Sequence, residues 1–189
     1  MTVGILLSAG AGTRFGGGKL LHHLADGVPL GVASLRRLRQ ALTDVVAVVR
    51  LGDESLRELF ERENVDIVVC AQADQGMGHS LAAGVAHRAG ANGWVVALAD
   101  MPHIRVDTIA LIAHTLEHQH GIVVPEFQGT RGHPVAFSSD YRDEMLGLSG
   151  DAGARTILQR YTERVTRIAV DDPGVLQDID TMEDARRLS

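Results

Sequence analysis

Short apolar runs alternate with longer amphipathic segments along most of the chain. The apolar runs are typical of β-strands and lie at Val3–Ser8, Val45–Arg50, Asp66–Cys70, Trp94–Ala99, Gly121–Pro125, Pro134–Ser138 and Thr166–Val170. The amphipathic segments predict helices at Gly31–Leu42, Asp53–Glu63, Met77–Ala89, Val106–His118, Ala154–Tyr161 and Thr181–Leu188. Unbroken apolar strands separated by helices are typical of a sheet buried on both sides. The pattern therefore predicts an α/β fold, with a mostly parallel sheet and helices on both faces.

The alternation breaks in one place, the segment Pro125–Asp151. One interpretation of this segment is an insertion that covers an active site. Elsewhere the chain has no internal repeat, low-complexity tract or obvious linker, and its 189 residues are enough for one substantial core. We therefore predict a single domain over residues 1–189.

The first predicted strand runs directly into a loop that is rich in glycine and carries two cations. Five glycines lie between residues 10 and 18, and Arg14 and Lys19 add positive charge. Glycines allow tight bends and bring backbone N–H groups close to an anion, so the loop is a candidate triphosphate cradle. Leu20 follows Lys19 where a Walker A loop has Ser or Thr, and the third glycine of the dinucleotide fingerprint is missing. The candidate nucleotide contacts in this loop are Ala9, Gly10, Ala11, Gly12, Thr13, Arg14 and Lys19.

Carboxylates follow a second strand and also lie near the end of the chain. Asp100 follows the apolar run Trp94–Ala99, so it is expected at the same sheet edge as the glycine loop. A carboxylate beside a triphosphate is a favourable ligand for Mg²⁺, which binds oxygen atoms and shares them with phosphates. Asp178 and Asp180 alternate on a predicted extended segment, and either could complete the cation site. We expect Asp178 to be the ligand and keep Asp180 as the alternative.

Two further groups of polar residues are candidates for binding the rest of a substrate. Gly76 and Ser80 lie at the start of a predicted helix, where backbone N–H groups and a hydroxyl could contact a base or sugar. Arg131, His133 and Arg155 could contact an anionic acceptor. Helix capping and ordinary turn structure are the alternative explanations for both groups.

Composition limits the possible partners. The formal net charge is −6 and aromatic residues make up 4% of the chain, which argues against a nucleic-acid partner. A single cysteine excludes an internal disulfide and any site built from several cysteines. No basic segment precedes the first apolar run, and that run is only strand-sized, so we expect no signal peptide, no membrane partner and a cytoplasmic location.

Taken in order, these motifs resemble the signature of a known enzyme family. Leu7-Ser8-Ala9-Gly10-Ala11-Gly12-Thr13-Arg14-Phe15-Gly16 with Lys19 resembles the loop of the nucleotidyltransferases of molybdenum cofactor synthesis. The other matching segments are Gly76-Met77 with Ser80-Leu81, Leu98–Pro102, Gly132–Val135, Gly150-Asp151 with Gly153–Arg155, and Asp178–Thr181 with Glu183-Asp184. The similarity covers nearly the whole chain, and the molybdenum cofactor cytidylyltransferase type fits best. Ala9-Gly10-Ala11 and Phe15-Gly16 depart from the guanylyltransferase pattern and argue against GTP.

The resemblance implies a Rossmann-like nucleotidyltransferase fold and a reaction. Arg14, Lys19 and Asp100 would be the catalytic residues, with the first two on the phosphates and Asp100 on Mg²⁺. The substrates would be CTP and a molybdopterin-type acceptor, and a molybdenum enzyme is a possible protein partner. Three alternatives stay open: an NAD(P)H-dependent dye oxidoreductase of the nicotine blue kind, a non-catalytic chaperone for molybdenum cofactor, and a cytidylyltransferase acting on a sugar or polyol phosphate.

Overall fold

The centre of the fold is an eight-stranded sheet, described by a computed structural model that covers residues 1–10, 15, 17–151 and 153–188. Strand order is β3-β2-β1-β4-β7-β5-β6, and β8 also pairs with β5. Four of the strand pairs are parallel, and the three that involve β6 or β7 are antiparallel. The strands are β1 (Thr2–Leu7), β2 (Val45–Arg50), β3 (Asp66–Cys70), β4 (Gly93–Leu98), β5 (Ile122–Phe127), β6 (Thr130–Arg131), β7 (Val135–Ser138) and β8 (Val165–Ala169).

Helices cover both faces of this sheet, as the apolar pattern predicts. They are α1 (Leu30–Ala41), α2 (Glu54–Arg62), α3 (Met77–His87), α4 (Val106–His118), α5 (Arg142–Leu146), α6 (Arg155–Arg160) and α7 (Met182–Leu188). The helices α1, α2 and α4 bury apolar side chains in one core, and α3, α5 and α6 do so in a second core. Successive residues of β1 alternate between the two cores, because neighbouring side chains of a strand point to opposite faces. The sheet is therefore buried on both sides.

The segment 125–151 is part of the sheet, so its interpretation as an inserted cover is wrong. It supplies β7, which lies between β4 and β5 and contributes the fully buried Phe137. It also contains β6 and the short helix α5, neither of which the apolar pattern predicts. A tight turn at Gln128 and Gly129, both with positive φ, reverses the chain between β5 and β6. The turn explains why the parallel alternation breaks here.

The pairing of β1 with β4 sets the position of the glycine loop. Leu7 is opposite Leu98, and the N–H of Ala99 donates to the carbonyl of Leu7 at 3.0 Å. Both strands end at this level, so the loop after β1 and Asp100 after β4 leave the sheet side by side. Among the residues that the structure describes, no helix is long and apolar enough to cross a bilayer.

A buried carboxylate, Asp172, fixes the segment that leads from β8 to the end of the chain. Its Oδ2 accepts hydrogen bonds from the Arg105 N–H at 2.9 Å and from the Thr108 hydroxyl at 2.7 Å. Its Oδ1 accepts one from the N–H of Gly174 at 3.0 Å. Farther along, the N–H of Ile179 donates to the carbonyl of Asp100 at 2.9 Å. These contacts hold the segment from residue 172 to 180 against the carboxyl edge of the sheet.

We expect Asp172→Ala to lower the free energy of unfolding by about 2–4 kcal/mol, because it leaves the buried Thr108 hydroxyl and the N–H groups of Arg105 and Gly174 without an acceptor. Asp171→Ala is the matched control, since its side chain is exposed, and we expect a change within about 0.5 kcal/mol. Urea unfolding followed by circular dichroism measures both. Equal stability of the two variants would contradict this role of Asp172.

Candidate active site

A cavity of about 670 Å³ opens at the carboxyl ends of β1, β2 and β4. Its volume lies within the range of about 300–1,000 Å³ that is usual for small-molecule sites. Six of the predicted site residues line it: Ala9, Gly10, Lys19, Gly76, Ser80 and Asp100. The predicted contacts Ala11, Gly12, Thr13 and Arg14 lie outside the described residues. The structure thus brings together motifs that are up to about 90 positions apart in the sequence.

Lys19, at the end of the glycine-rich loop, bridges the carboxylates of Asp100 and Asp180. Its Nζ donates hydrogen bonds to Asp100 Oδ2 and to Asp180 Oδ1, both at 2.8 Å. The lysine side chain is 11% exposed, and those of Asp100 and Asp180 are 23% and 26% exposed. Burial by itself would lower the pKa of Lys19, but the hydrogen bonds and charges of the two aspartates raise it above its ordinary value. The Lys19 side chain is therefore positively charged at neutral pH.

The two carboxylates fit a divalent cation. Because both oxygens lie 2.8 Å from the same nitrogen, they are at most twice that distance apart. The second oxygen of Asp100, Oδ1, is buried and accepts no hydrogen bond from the described residues. Such an oxygen is a suitable ligand for a hard cation. Within the described ranges there is no group of three or more His, Cys, Asp or Glu side chains placed to hold a metal.

Of the two tail carboxylates, the structure brings Asp180 and not Asp178 to Lys19. Asp178 is exposed, whereas Asp180 is partly buried and accepts a hydrogen bond from Lys19. The residue between them, Ile179, is fully buried and its N–H is bonded to the carbonyl of Asp100. The geometry thus favours Asp180, the alternative in the sequence prediction, as the partner of Asp100.

The described part of the cavity wall carries more negative than positive charge. Its acidic residues outnumber Lys19 and Arg50; they are Asp53, Glu54, Asp74, Asp100 and Asp151. A triphosphate would be repelled by such a wall unless further positive charge entered with it. A bound divalent cation could supply that charge, and a contribution from Arg14 stays a prediction from the sequence.

Gly76 has a packing role that the sequence does not reveal. Its φ is +125°, and a methyl group there would overlap the carbonyl of Gly150 and lie 2.6 Å from the nitrogen of Asp151. At Gly78, a methyl group would lie 2.8 Å from the backbone of Ser149, and the Gly78 N–H donates to the Gly150 carbonyl at 2.8 Å. The start of α3 is therefore in backbone contact with the loop 149–151. That contact brings Asp151 to the cavity wall.

The predicted acceptor-binding residues lie apart from the described cavity wall. Arg131 at the end of β6 and Arg155 at the start of α6 are exposed. Burial lowers the pKa of His133, and the positive charge of Arg131 lowers it further. The negative charge of Asp100 offsets part of this decrease. The Nδ1 atom of His133 is buried and has no hydrogen-bond partner among the described residues. His133 is therefore a neutral group near Asp100, and a role for Arg131 and Arg155 stays a prediction.

The sequence analysis did not predict one wall of the cavity. It is formed by the end of β2 and the start of α2, and its residues are Arg50, Gly52, Asp53, Glu54, Ser55 and Leu56. No motif marks these residues in the sequence. The signal that could have found them is topological, because β2 is the parallel neighbour of β1 and ends at the same edge.

Comparison with known proteins gives the same assignment as the motifs. A family model described as the MobA-like NTP transferase domain matches residues 4–165. The chain belongs to this family. It is 34% identical to the purine catabolism protein PucB of Bacillus subtilis, over 96% of this chain and 93% of that protein. It is 31% identical to the nicotine blue oxidoreductase of Paenarthrobacter nicotinovorans, over 98% and 95%.

Solved structures have the same fold. The protein Rv0371c of Mycobacterium tuberculosis aligns over 98% of this chain and 96% of its own, with a TM-score of 0.87 and 28% identity. A structure of that protein in complex with manganese also aligns, with a TM-score of 0.80 over 99% of this chain and 97% of its own. Family and fold together make this member of the MobA-like family a nucleotidyltransferase, a class of enzymes that typically uses a divalent metal.

We expect Gly76→Ala to lower the free energy of unfolding by about 2 kcal/mol or more and to weaken nucleotide binding, because the added methyl group displaces the loop 149–151. Gly90→Ala is the matched control, since nothing lies within 4 Å of a methyl group at that position. Thermal unfolding with and without nucleotide measures both effects. A Gly76→Ala protein as stable as Gly90→Ala would contradict the close packing.

Proposed function

We propose that this protein transfers CMP from CTP to a phosphate-bearing acceptor and releases pyrophosphate, with Mg²⁺ as the cofactor. The observation that carries the proposal is the Lys19–Asp100–Asp180 cluster: Lys19 and Asp100 line the cavity, and Lys19 donates hydrogen bonds to both carboxylates. The acceptor that we favour is molybdopterin, and a molybdenum enzyme would then receive the product. The family supports the reaction type, and the loop sequence supports CTP over GTP.

The residues around the cavity can supply each part of this reaction. Ala9 and Gly10 would contact the nucleotide, with Ala11, Gly12 and Thr13 continuing the cradle, while Lys19 and Arg14 would neutralise the triphosphate. Ser80 lines the cavity and is 2% exposed, so its hydroxyl is a candidate contact for sugar or base. Asp100 and Asp180 would hold the magnesium ion, with Asp178 as the other candidate. When bound, that ion supplies positive charge to the phosphates and the leaving pyrophosphate.

The chemical step needs alignment more than it needs a base. An oxygen of the acceptor phosphate attacks the α-phosphorus of CTP, and the bond to the bridging oxygen of the β-phosphate breaks. A phosphate monoester is already an anion, so no proton has to be removed from it. Lys19 and Arg14 would stabilise the charge that develops on the transferred group. His133, Arg131 and Arg155 would orient the acceptor, and the neutral state of His133 avoids a second strong cation beside Asp100.

A second candidate follows from the name of one relative. The similarity to a nicotine blue oxidoreductase suggests NAD(P)H-dependent reduction of a dye, with the reduced nucleotide in the same cavity. Binding preferences separate the two functions, because a transferase selects a triphosphate with metal and a reductase selects NADPH.

We expect CTP with Mg²⁺ to raise the melting temperature more than GTP, ATP, UTP or NADPH, each tested with and without Mg²⁺. A ligand that binds the folded state stabilises it in proportion to the logarithm of its concentration over Kd. Stabilisation by NADPH alone would overturn the transferase proposal, and silence from all five would favour a non-catalytic chaperone. Stabilisation by CTP would justify an assay with molybdopterin and, beside it, sugar phosphates.

We expect Asp100→Asn and Asp180→Asn each to lower the rate of pyrophosphate release by about 100-fold or more, because each would lose a metal-binding charge. Asp178→Asn is the matched control and should retain the rate of the unmodified protein, since Asp178 is exposed. Circular dichroism checks that all three variants fold. A large loss in Asp178→Asn with normal rates in Asp180→Asn would reverse the assignment of the second ligand.

A further inference from the structure

We propose that Lys19 acts as an internal counter-ion that keeps a divalent metal off Asp100 and Asp180 until a nucleoside triphosphate draws the lysine away. The inference rests on the proposed metal role of these two aspartates, and it assigns a binding order to the site. The ammonium group lies between the two carboxylates, at 2.8 Å from an oxygen of each. A metal ion bound by both carboxylates would need the same region.

The carboxylates are held in place by the backbone. Asp100 lies two residues after Leu98, which pairs with Leu7 in the sheet, and its carbonyl accepts a hydrogen bond from the N–H of Ile179. Asp180 adjoins the first turn of α7, where its N–H and that of Thr181 donate to Asp184 Oδ2 at 3.3 and 2.9 Å. Neither carboxylate can move far without breaking these contacts. Exchange of one cation for another must therefore come from movement of the lysine.

Lys19 is attached in a way that permits this movement. It follows Gly17 and Gly18, which have φ angles of +94° and +63°, so the chain turns sharply just before it. Among the described residues, no heavy atom lies within 4 Å of a Cβ that would be added at either glycine. The ammonium group also ends a flexible four-carbon stem with three donors. Lys19 can therefore reach a phosphate without a change in the sheet.

Electrostatics makes the two cations competitors. An ammonium group and a metal ion at the same two carboxylates repel each other, and a divalent ion feels twice the repulsion of a monovalent one. The described residues place no third acidic, histidine or cysteine ligand beside the pair. A metal alone would thus gain few ligands and face the ammonium. A triphosphate supplies oxygen ligands for the metal and, at the same time, another anion for Lys19.

The test is Mn²⁺ binding to nucleotide-free protein, measured by the electron paramagnetic resonance signal of free Mn²⁺. We expect Lys19→Met to bind Mn²⁺ about ten-fold or more tightly than the unmodified protein, because the competing charge is gone. Lys19→Arg keeps the charge and should bind Mn²⁺ as weakly as the unmodified protein. Lys19→Gln repeats the neutral substitution with a polar side chain, in case Lys19→Met does not fold. Adding Asp100→Asn to either neutral variant should return the affinity to a weak value.

Two results would overturn the inference. One is a folded neutral variant whose affinity for Mn²⁺ equals or falls below that of the unmodified protein. The other is tight binding that survives Asp100→Asn, because the metal would then lie elsewhere.

The proposed transferase function is tested separately from the counter-ion inference, by measuring pyrophosphate release by the unmodified protein. Tight Mn²⁺ binding by Lys19→Met together with an unmodified protein that is inactive with every nucleotide would count against the transferase alone. An active unmodified protein with no change in Mn²⁺ affinity on substitution would count against the counter-ion alone.

Discussion

The pairing of β1 with β4 is the constraint on which the site depends. Because Leu7 is opposite Leu98, the glycine loop and Asp100 leave the sheet at the same level. The strands are buried on both faces, so this register cannot slip without moving apolar side chains out of two cores. The last segment of the chain then attaches to Asp100 through the N–H of Ile179, which brings Asp180 within reach. The precision of the charged cluster thus comes from apolar packing.

The charges in and around the Lys19–Asp100–Asp180 cluster bear on which ligands the cavity could bind. Lys19 bonds both carboxylates, and the rest of the described cavity wall is mainly acidic. An anionic substrate, as proposed, would be repelled by this wall unless cations accompanied it. Such a wall would favour a metal-bound triphosphate over a free one. The position of Lys19 and the acidity of the wall together set the charge balance of the cavity.

Much of the fold and part of the cavity wall could be predicted from particular residues. The apolar runs gave most strands to within one or two residues, and the rule that parallel strands end at one edge placed Asp100 beside Lys19. The strand β7 was predicted, but its antiparallel direction was not, because a buried strand has the same apolar pattern in either direction. Asp180 could not be separated from Asp178 because the alternation argument assumes a regular strand, whereas residues 177–180 form none. The backbone contact at Gly76 depends on residues 149–151, which are far away in the sequence.

The geometry also bears on the two activities suggested by the relatives. Hydride transfer to a dye develops no new charge on phosphorus, so it would leave a lysine between two carboxylates without a chemical task. Nucleotide transfer, as proposed, would use all three groups, since the attacking phosphate, the α-phosphoryl group and the leaving pyrophosphate are all anionic. The base and the acceptor would then be selected away from this cluster. The wall from Arg50 to Leu56 and the surroundings of His133 are candidates for that selection, because β2 and β7 lie on opposite sides of β4 in the sheet.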